Sequence, residues 1–188
     1  TRHNRDSFNV PGIANTLQRS DGQGDKEKLE LQNNYLGLDD HILTLGLESE
    51  LDSLRNVQFS NFSGFTIQGS TGADARTNAV YVQDQFSLNE RVFGTLGVRY
   101  DDHDALGSKL TYRFAPVVAF PDRGLRLKGS VGTGFRAPAL FQLFGNTRSS
   151  SGGTFTGDPN LRPEESTGWE VGFEQSLRGG NLIVGSTY

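Results

Sequence analysis

Apolar residues alternate with polar ones along several stretches of the chain, and one clear stretch lies between residues 40 and 52. One parity of this stretch is apolar and the other is small or polar, with Leu43, Leu45, Leu47 and Leu51 against Thr44, Gly46, Glu48 and Glu50. A period of two residues places alternate side chains on opposite faces of a β-strand. The pattern therefore predicts a strand with one face in apolar surroundings and the other in water.

The same alternation recurs in pairs of segments that are joined by turn residues. It predicts about eight antiparallel strands of roughly 8 to 14 residues, at about 28–38, 40–52, 80–88, 92–100, 108–120, 125–135, 165–177 and 182–188. Asp84 interrupts the apolar face of one strand. A bulge, a protein neighbour or a shifted register would each explain this interruption.

The predicted connections alternate in length. Short turns fall at 38–40, 89–90, 121–124 and 178–181, whereas longer links lie at about 53–75 and 136–163, with a brief one at 104–107. The segments 60–78 and 145–157, rich in Gly, Ser, Thr and Asn, are expected to be exposed, as is the opening stretch to Asp25. Tight turns on one side and long loops on the other are typical of outer-membrane barrels, so we predict an all-β, antiparallel transmembrane β-barrel segment.

Composition is compatible with this fold and excludes several other classes. The chain has 188 residues, no Cys, a net charge of -4, 34% hydrophobic residues and a mean hydropathy of -0.49. Disulfides and thiolate metal sites are thus excluded, and no run approaches the ~20 apolar residues of a spanning helix. The mild acidity argues against nucleic acid as a partner. No signal peptide precedes the first strand, so we expect a mature chain or an internal fragment.

Two motifs stand between the third and fourth hairpins. They read GTGFRAP at residues 132–138, followed by LFQLFG at 140–145, and DPNLRPEES at 158–166, with Trp169 shortly after. Their order resembles the TonB-dependent outer-membrane receptors, whose barrels pair G-x-G-F-[RK]-A-P with N-P-N-L-[RK]-P-E. Asp158 stands where Asn or Gly is common in that pattern. Weaker similarities at 79–86 and 97–102 extend the resemblance over roughly residues 76 to 177.

The resemblance implies a barrel of about 22 strands closed around a plug, of which residues 1–188 are a partial receptor domain without the plug. It implies uptake of an iron-siderophore, cobalamin or haem across the bacterial outer membrane, with the short hairpin at 99–113 slightly favouring cobalamin. The implied partners are outer-membrane lipid, the nutrient ligand, and the energy-transducing protein TonB, which the missing plug region would contact. No enzyme activity and no cofactor are expected.

Most motif residues have a structural explanation. Arg136, Ala137 and Pro138 are expected to end a strand, since proline cannot donate to the ladder. Pro159 and Pro163 are expected to stiffen the re-entry into the next strand, and Asn160 to cap a turn. Trp169 suits an aromatic girdle at the lipid boundary. The other residues assigned to this structural motif are Gly134, Phe135, Leu161 and Glu164.

A few residues are candidates for contact with a ligand, although a structural role in loop packing is the simpler explanation. They are Arg136, Phe141, Arg148 and Phe155, with Phe144 beside them. Asp101, Asp102 and Asp104 form either a Ca²⁺ site or, by the simpler interpretation, a solvated strand end. Two other functions remain open: a self-contained eight-stranded barrel acting as an adhesin or anchor, and a soluble β-sandwich binding module.

Overall fold

The computed structural model describes residues 2–9, 17–62, 65–148 and 153–188. Eleven strands and one short helix make up most of the described chain. They are β1 (Arg2–Asn9), β2 (Leu17–Tyr35), β3 (His41–Phe62), β4 (Phe65–Leu88), β5 (Val92–His103), β6 (Gly107–Phe120), β7 (Leu125–Arg136), α1 (Leu140–Phe144), β8 (Asn146–Arg148), β9 (Thr154–Thr156), β10 (Glu164–Leu177) and β11 (Leu182–Thr187).

Nine of the strands form a single antiparallel meander in the order β1-β2-β3-β4-β5-β6-β7-β10-β11, and β8 pairs only with β9. All eight predicted strands are present in this sheet, and the four predicted tight turns are confirmed. Within the described residues β1 and β11 lie at opposite ends of the sheet and do not pair, so no small closed barrel forms. The eight-stranded barrel is therefore not the structure of this chain.

The two faces of the sheet differ as the alternation predicted. The parity that contains Leu45 and Leu47 continues through the register to Val82 and Val80 on β4, and to Val98 and Tyr100 on β5. These side chains are between 37% and 57% exposed, and no second layer of described residues covers them. The β-sandwich is therefore wrong, because its apolar face would be buried against another sheet. We call this surface the outer face and the opposite one the inner face.

The predicted loop at 53–75 is wrong. β3 continues to Phe62 and β4 begins at Phe65, so that these two strands have 22 and 24 residues and pair along their whole length. The opening stretch is also largely strand, since β1 and the first half of β2 occupy it. These segments lack a period of two because they extend beyond the ~25 Å apolar band of a membrane barrel, where water lies on both faces.

Asp84 lies on the outer face in regular register, so neither a bulge nor a register shift explains it. Its direct neighbours are Leu43 on β3 and Leu96 on β5. One carboxylate oxygen lies within hydrogen-bonding distance of His41 Nδ1, at 2.8 Å. The other oxygen is buried without a partner. His41 is the first residue after a turn, so the carboxylate reaches from the apolar band towards the boundary where polar groups are stable.

Helices contribute little to the described residues. None of those found there has the length and apolar character that a membrane crossing would require.

Candidate functional site

The inner face carries a network of charges that is centred on Arg99 of β5. Its guanidinium donates to both Glu48 oxygens at 3.0 Å, and its Nε donates to the Asp101 carboxylate at 2.9 and 3.1 Å. The side chains of Glu48 and Asp101 are only 10% and 4% exposed. The alternation places all three residues on one face, and the β3-β4-β5 register brings Glu48 beside Arg99. Charge-assisted and bidentate pairs of this kind hold both partners in a fixed geometry.

Two lysines of β2 extend this network and leave it with an excess of negative charge. Lys26 contacts Glu50 at 2.6 Å and Asp52 at 3.3 Å. Lys28 contacts Glu30 at 3.2 Å and Glu48 at 3.0 Å. Each cation of the network is therefore shared between two carboxylates. A hydrated ionic surface of this kind is the opposite of the outer face, as expected of a barrel with a wet lumen.

Tyr81 crosses the inner face from β4 to β2 over a glycine of β3. Its hydroxyl donates to Glu30 at 2.7 Å and lies 3.1 Å from Gln32 Oε1, and the Arg99 guanidinium lies 5.8 Å from the ring centroid. Gly46 is the cross-strand partner of Tyr81. A Cβ at Gly46 would lie 2.0 Å from the ring, so only glycine permits this crossing. The ring thus joins three strands on the side that faces the lumen.

The connection from β7 to β10 folds back over the inner face. We call it the strap and define it as residues 137–148 and 153–163. Its helix α1 and its strand β8 contact β3 and β4, past β5 and β6 in the sheet order. Leu143 of α1 is only 1% exposed, and the Asn146 N–H donates to Thr71 Oγ1 of β4 at 3.1 Å. The strap is therefore anchored through Leu143 and Asn146, while most of the described residues between 145 and 157 are exposed, as their composition predicted.

The strand lengths explain where the strap lies. β5 pairs with β4 from Leu88 back to Thr77. The rest of β4, from Arg76 back to Phe65, extends beyond the end of β5. The part of β4 beyond Thr77 therefore has no β5 partner. β8 lies over the inner face of this part of β4, where the Asn146 N–H meets the Thr71 hydroxyl. Small side chains make room on the inner face there, since Thr71, Ala75 and Ala79 are all buried.

A cavity of about 870 Å³ separates the strap from the charge network. Arg136, Leu140 and Phe141 line it from the strap side, and Asp101 and His103 line it from β5. His103 is 9% exposed, and its Nδ1 accepts a hydrogen bond from the Ala105 N–H at 3.1 Å. The cavity thus combines aromatic, cationic and hydrogen-bonding groups, the mixture that fixes small molecules in proteins.

The structure brings together most of the predicted ligand contacts. Phe141 and Phe155 stack with ring centroids 5.2 Å apart and an interplanar angle of 2°. Arg136 shares the cavity with Phe141. Phe144 is 38% exposed on α1 and is not among the cavity residues. Arg148 is the last residue of β8, and its side chain lies outside the described ones.

The two motifs flank the ends of β7 and β10 in the structure. β7 ends at Arg136, just before Ala137 and Pro138, and β10 begins at Glu164, directly after Pro163. The predicted cap at Asn160 is wrong in its direction. Asp158 Oδ1 is the capping acceptor, and it receives the Asn160 N–H at 2.8 Å. The backbone oxygen of Asp158 also accepts from the Leu161 N–H at 3.2 Å, which closes the turn.

The remaining motif residues lie at the junction of β7 and β10. Gly134 and Phe135 pair with Ser166 and Glu165 across this junction. Trp169 projects from the outer face with 59% exposure, and its ring centroid lies 5.5 Å from that of Tyr188. This position agrees with the predicted aromatic girdle.

The three aspartates that were considered for Ca²⁺ point to different partners. Asp101 pairs with Arg99, Asp102 accepts from the Ser108 hydroxyl at 3.0 Å, and Asp104 accepts from the Arg76 N–H at 3.1 Å. Sequence reasoning missed His103 as a cavity residue. The alternation carried the signal, because His103 shares the inner parity of Arg99 and Asp101.

These features agree with comparisons to known proteins. A family model described as TonB dependent receptor-like, beta-barrel matches residues 1–188. The chain belongs to this family. It is a part of the wall of a TonB-dependent receptor, and its strands lie in the bacterial outer membrane.

Two curated outer-membrane proteins with different names are similar to this chain. The chain is 31% identical over 142 residues to the iron-regulated outer membrane virulence protein of Vibrio cholerae, covering 75% of this chain and 21% of the relative. It is also 31% identical over 143 residues to the vitamin B12 transporter of Photobacterium profundum, covering 74% and 20%. The chain therefore spans about a fifth of the length of the curated relatives it matches.

Solved structures share the fold. The ferric enterobactin receptor of Pseudomonas aeruginosa has a TM-score of 0.63 at 24% identity, covering 92% of this chain and 26% of that one. A copper transporter has a TM-score of 0.68 at 13% identity, covering 91% and 30%. At these identities the likeness shows the fold alone.

Proposed function

We propose that the protein to which this wall belongs takes up a scarce, bulky nutrient across the outer membrane. The observation that carries the proposal is the contrast between the two faces of the sheet, with an apolar band outside and a charged surface inside. The packed strap and the cavity lie at the end of the sheet opposite the tight turns. Membrane barrels of transporters have this polarity. An iron-siderophore, cobalamin or haem is the proposed substrate class, in keeping with the names of the relatives.

Arg136, Phe141, Arg148 and Phe155 are the residues proposed to contact the nutrient. The support is positional, since Arg136 and Phe141 line the cavity and Phe155 extends the aromatic stack of Phe141. Within the described side chains Arg136 has no carboxylate partner, so its charge is available to a ligand oxygen. Energy would come from TonB through a plug region outside these residues, and no chemical conversion of the nutrient is proposed.

Uptake measurements test this function. Cells that lack the gene are complemented with the complete gene. Accumulation of radiolabelled iron is then measured for ferric hydroxamates, ferric catecholates and haem, and accumulation of labelled cobalamin is measured in parallel. We expect accumulation of one of these classes above the empty-vector level. No accumulation of any class, with the protein folded in the outer membrane, would contradict the proposal.

A matched pair of variants tests the ligand contacts. Arg136→Ala is expected to weaken binding of the accepted nutrient about tenfold, since a charge-assisted hydrogen bond is worth ~1.5 kcal/mol or more. Arg113→Ala is the control, because Arg113 lies on the inner face of β6 outside this cavity. Equal affinities for both variants would remove Arg136 from the site.

A further inference from the structure

His103, the last residue of β5, is buried and lines the cavity beneath the strap. Its Nδ1 accepts the Ala105 N–H at 3.1 Å. A ring nitrogen that accepts a hydrogen bond carries no proton, so the single proton of the neutral imidazole lies on Nε2. Asp101, its neighbour on the same face, is bound to Arg99 instead. Among the described residues the Nε2–H therefore has no acceptor, and an acceptor in the cavity would complete it.

The turn after β5 holds the imidazole in place. The Asp104 N–H donates to the Arg76 carbonyl oxygen at 3.0 Å, and the Arg76 N–H donates to Asp104 Oδ2 at 3.1 Å. These two bonds tie the turn to β4, while the Ala105 bond fixes the ring within the turn. A donor that is already fixed loses little rotamer freedom when a ligand binds.

The groups of the cavity that lack a partner are hydrogen-bond donors. Besides His103, Arg136 has no carboxylate partner among the described side chains, and a guanidinium has donors but no acceptor. The carboxylates that the described residues contribute to the cavity are each bound to a cation or an amide. These carboxylates are Asp25, Glu48, Glu50, Asp52 and Asp101. A ligand in this cavity therefore meets unused donors and has to supply acceptor oxygens.

The same tautomer argues against a bond between His103 and a metal. A histidine that ligates a metal almost always donates its other ring N–H to a neighbouring group. In His103 the other nitrogen, Nδ1, accepts a hydrogen bond, and Nε2 holds a proton where a metal would bind. The ring is thus arranged to donate to an oxygen and not to ligate the iron of a haem.

We propose that His103 is a specificity-determining residue of the nutrient site, and that its Nε2–H donates to an oxygen of an oxygen-chelated ferric complex such as a ferric hydroxamate or catecholate. Arg136 supplies a second donor to the same cavity. The cavity volume of about 870 Å³ lies within the range of ligand pockets. The proposal rests on the proposed function, because it concerns the same ligand site.

Two substitutions separate the donor from the contact within the turn. The side-chain oxygen of His103→Asn can accept the Ala105 N–H as Nδ1 does, but no group reaches the place of Nε2. His103→Gln extends an amide donor towards the cavity and leaves the Ala105 N–H without this acceptor. Binding of a ferric trihydroxamate and a ferric tricatecholate is measured by fluorescence quenching of the complete gene product in lipid vesicles. We expect affinity to fall about fivefold to tenfold in His103→Asn, and His103→Gln to bind about threefold more tightly than His103→Asn.

A role confined to the turn predicts the opposite order of the two variants. Ser108→Ala is the control, because Ser108 donates to Asp102 on the outer face of the same hairpin, and its affinity should equal that of the wild type. The proposal is overturned if His103→Asn binds as tightly as the wild type or as His103→Gln, or if the folded wild type binds neither complex. Should His103→Gln fail to fold, the comparison of His103→Asn with the wild type decides.

Haem provides a second measurement. The Soret band of ferric haem that is mixed with the complete gene product should be the same for the wild type and for His103→Asn. A band position that changes with the loss of His103 would show that the imidazole ligates the iron, and the donor assignment would be wrong.

The two proposals fail differently. If a nutrient accumulates in cells and His103→Asn binds it as tightly as the wild type, the role of His103 is wrong and the transport function stands. If the ferric complex binds in vesicles with the expected order of variants while no nutrient class accumulates in cells, the role of His103 is correct and the transport function is wrong.

Discussion

Gly46→Ala is the substitution whose effect the structure specifies in most detail. The new Cβ would lie 2.0 Å from the Tyr81 ring, and the ring would have to leave its place between β2 and β5. Two losses have typical magnitudes: roughly 0.2 to 1 kcal/mol for the cross-strand ring contact and roughly 0.5 to 1 kcal/mol for the Arg99 guanidinium over the ring. A displaced ring adds about 0.5 to 1.5 kcal/mol if it cannot reach a staggered rotamer.

One gain opposes these losses. Alanine in a strand interior is favoured over glycine by roughly 0.5 to 1 kcal/mol, because it loses less backbone entropy on folding. The net expectation is a destabilisation of about 1.5 kcal/mol. Gly97→Ala is the matched control: Gly97 is also an inner-face glycine of a central strand, but its Cβ would meet nothing closer than 3.8 Å. That variant should be stabilised by about 0.5 kcal/mol.

The assay is reversible urea unfolding of the complete gene product in lipid vesicles, with heat-modifiable gel migration as the measure of the folded barrel. Opposite signs for Gly46→Ala and Gly97→Ala are the expected result. In the Tyr81→Ala background Gly46→Ala should no longer destabilise, since the ring is gone. The reasoning is refuted if the two glycine variants change the unfolding free energy equally, or if the effect of Gly46→Ala persists without Tyr81.

Three further predictions concern other parts of the wall. Leu143→Ala should speed amide exchange in the strap while the barrel strands keep their protection, and Phe144→Ala, which alters a 38% exposed neighbour, should change exchange much less. Arg99→Ala should lower the unfolding free energy by about 3 kcal/mol because it leaves the nearly buried Asp101 carboxylate unpaired and Glu48 with only Lys28 as its cation, and Arg113→Ala should lower it by less than a third of that. Asp84→Leu should raise it by about 1 kcal/mol, since an unpartnered carboxylate oxygen leaves the apolar band; a decrease in urea midpoint would contradict this.

The sequence predicted the strands well wherever lipid lies on one face and the lumen on the other. Val80, Val82, Val98 and Tyr100 alternate with polar residues because the two solvents differ, and the turn after Leu88 was equally visible. Above the apolar band the chain meets water on both faces. Residues 53–75 therefore show no period of two and predict a loop, although in the structure they lie in paired strands.

The candidate site was predictable only in part, because its contacts join positions distant in sequence. The inner parity predicted that Glu48 and Arg99 face the lumen, but their pairing depends on the register of three strands. The packing of Leu143 over the inner face of β3 and β4 had no local signal. Leu143 stands in a short apolar segment that composition alone cannot distinguish from an exposed loop.

The unusual length of β3 and β4 and the packing of the strap are consequences of one arrangement. Because β5 stops at His103 while β4 continues for twelve residues from Arg76 back to Phe65, the sheet gains an uncovered edge above the membrane. The strap packs on the inner face of β3 and β4 at this level and lines the cavity that holds His103 and Arg136. The same segment thus forms one wall of the proposed ligand site. A ligand that displaced the strap would have to expose Leu143, so we expect ligands that bind beneath the strap to be favoured.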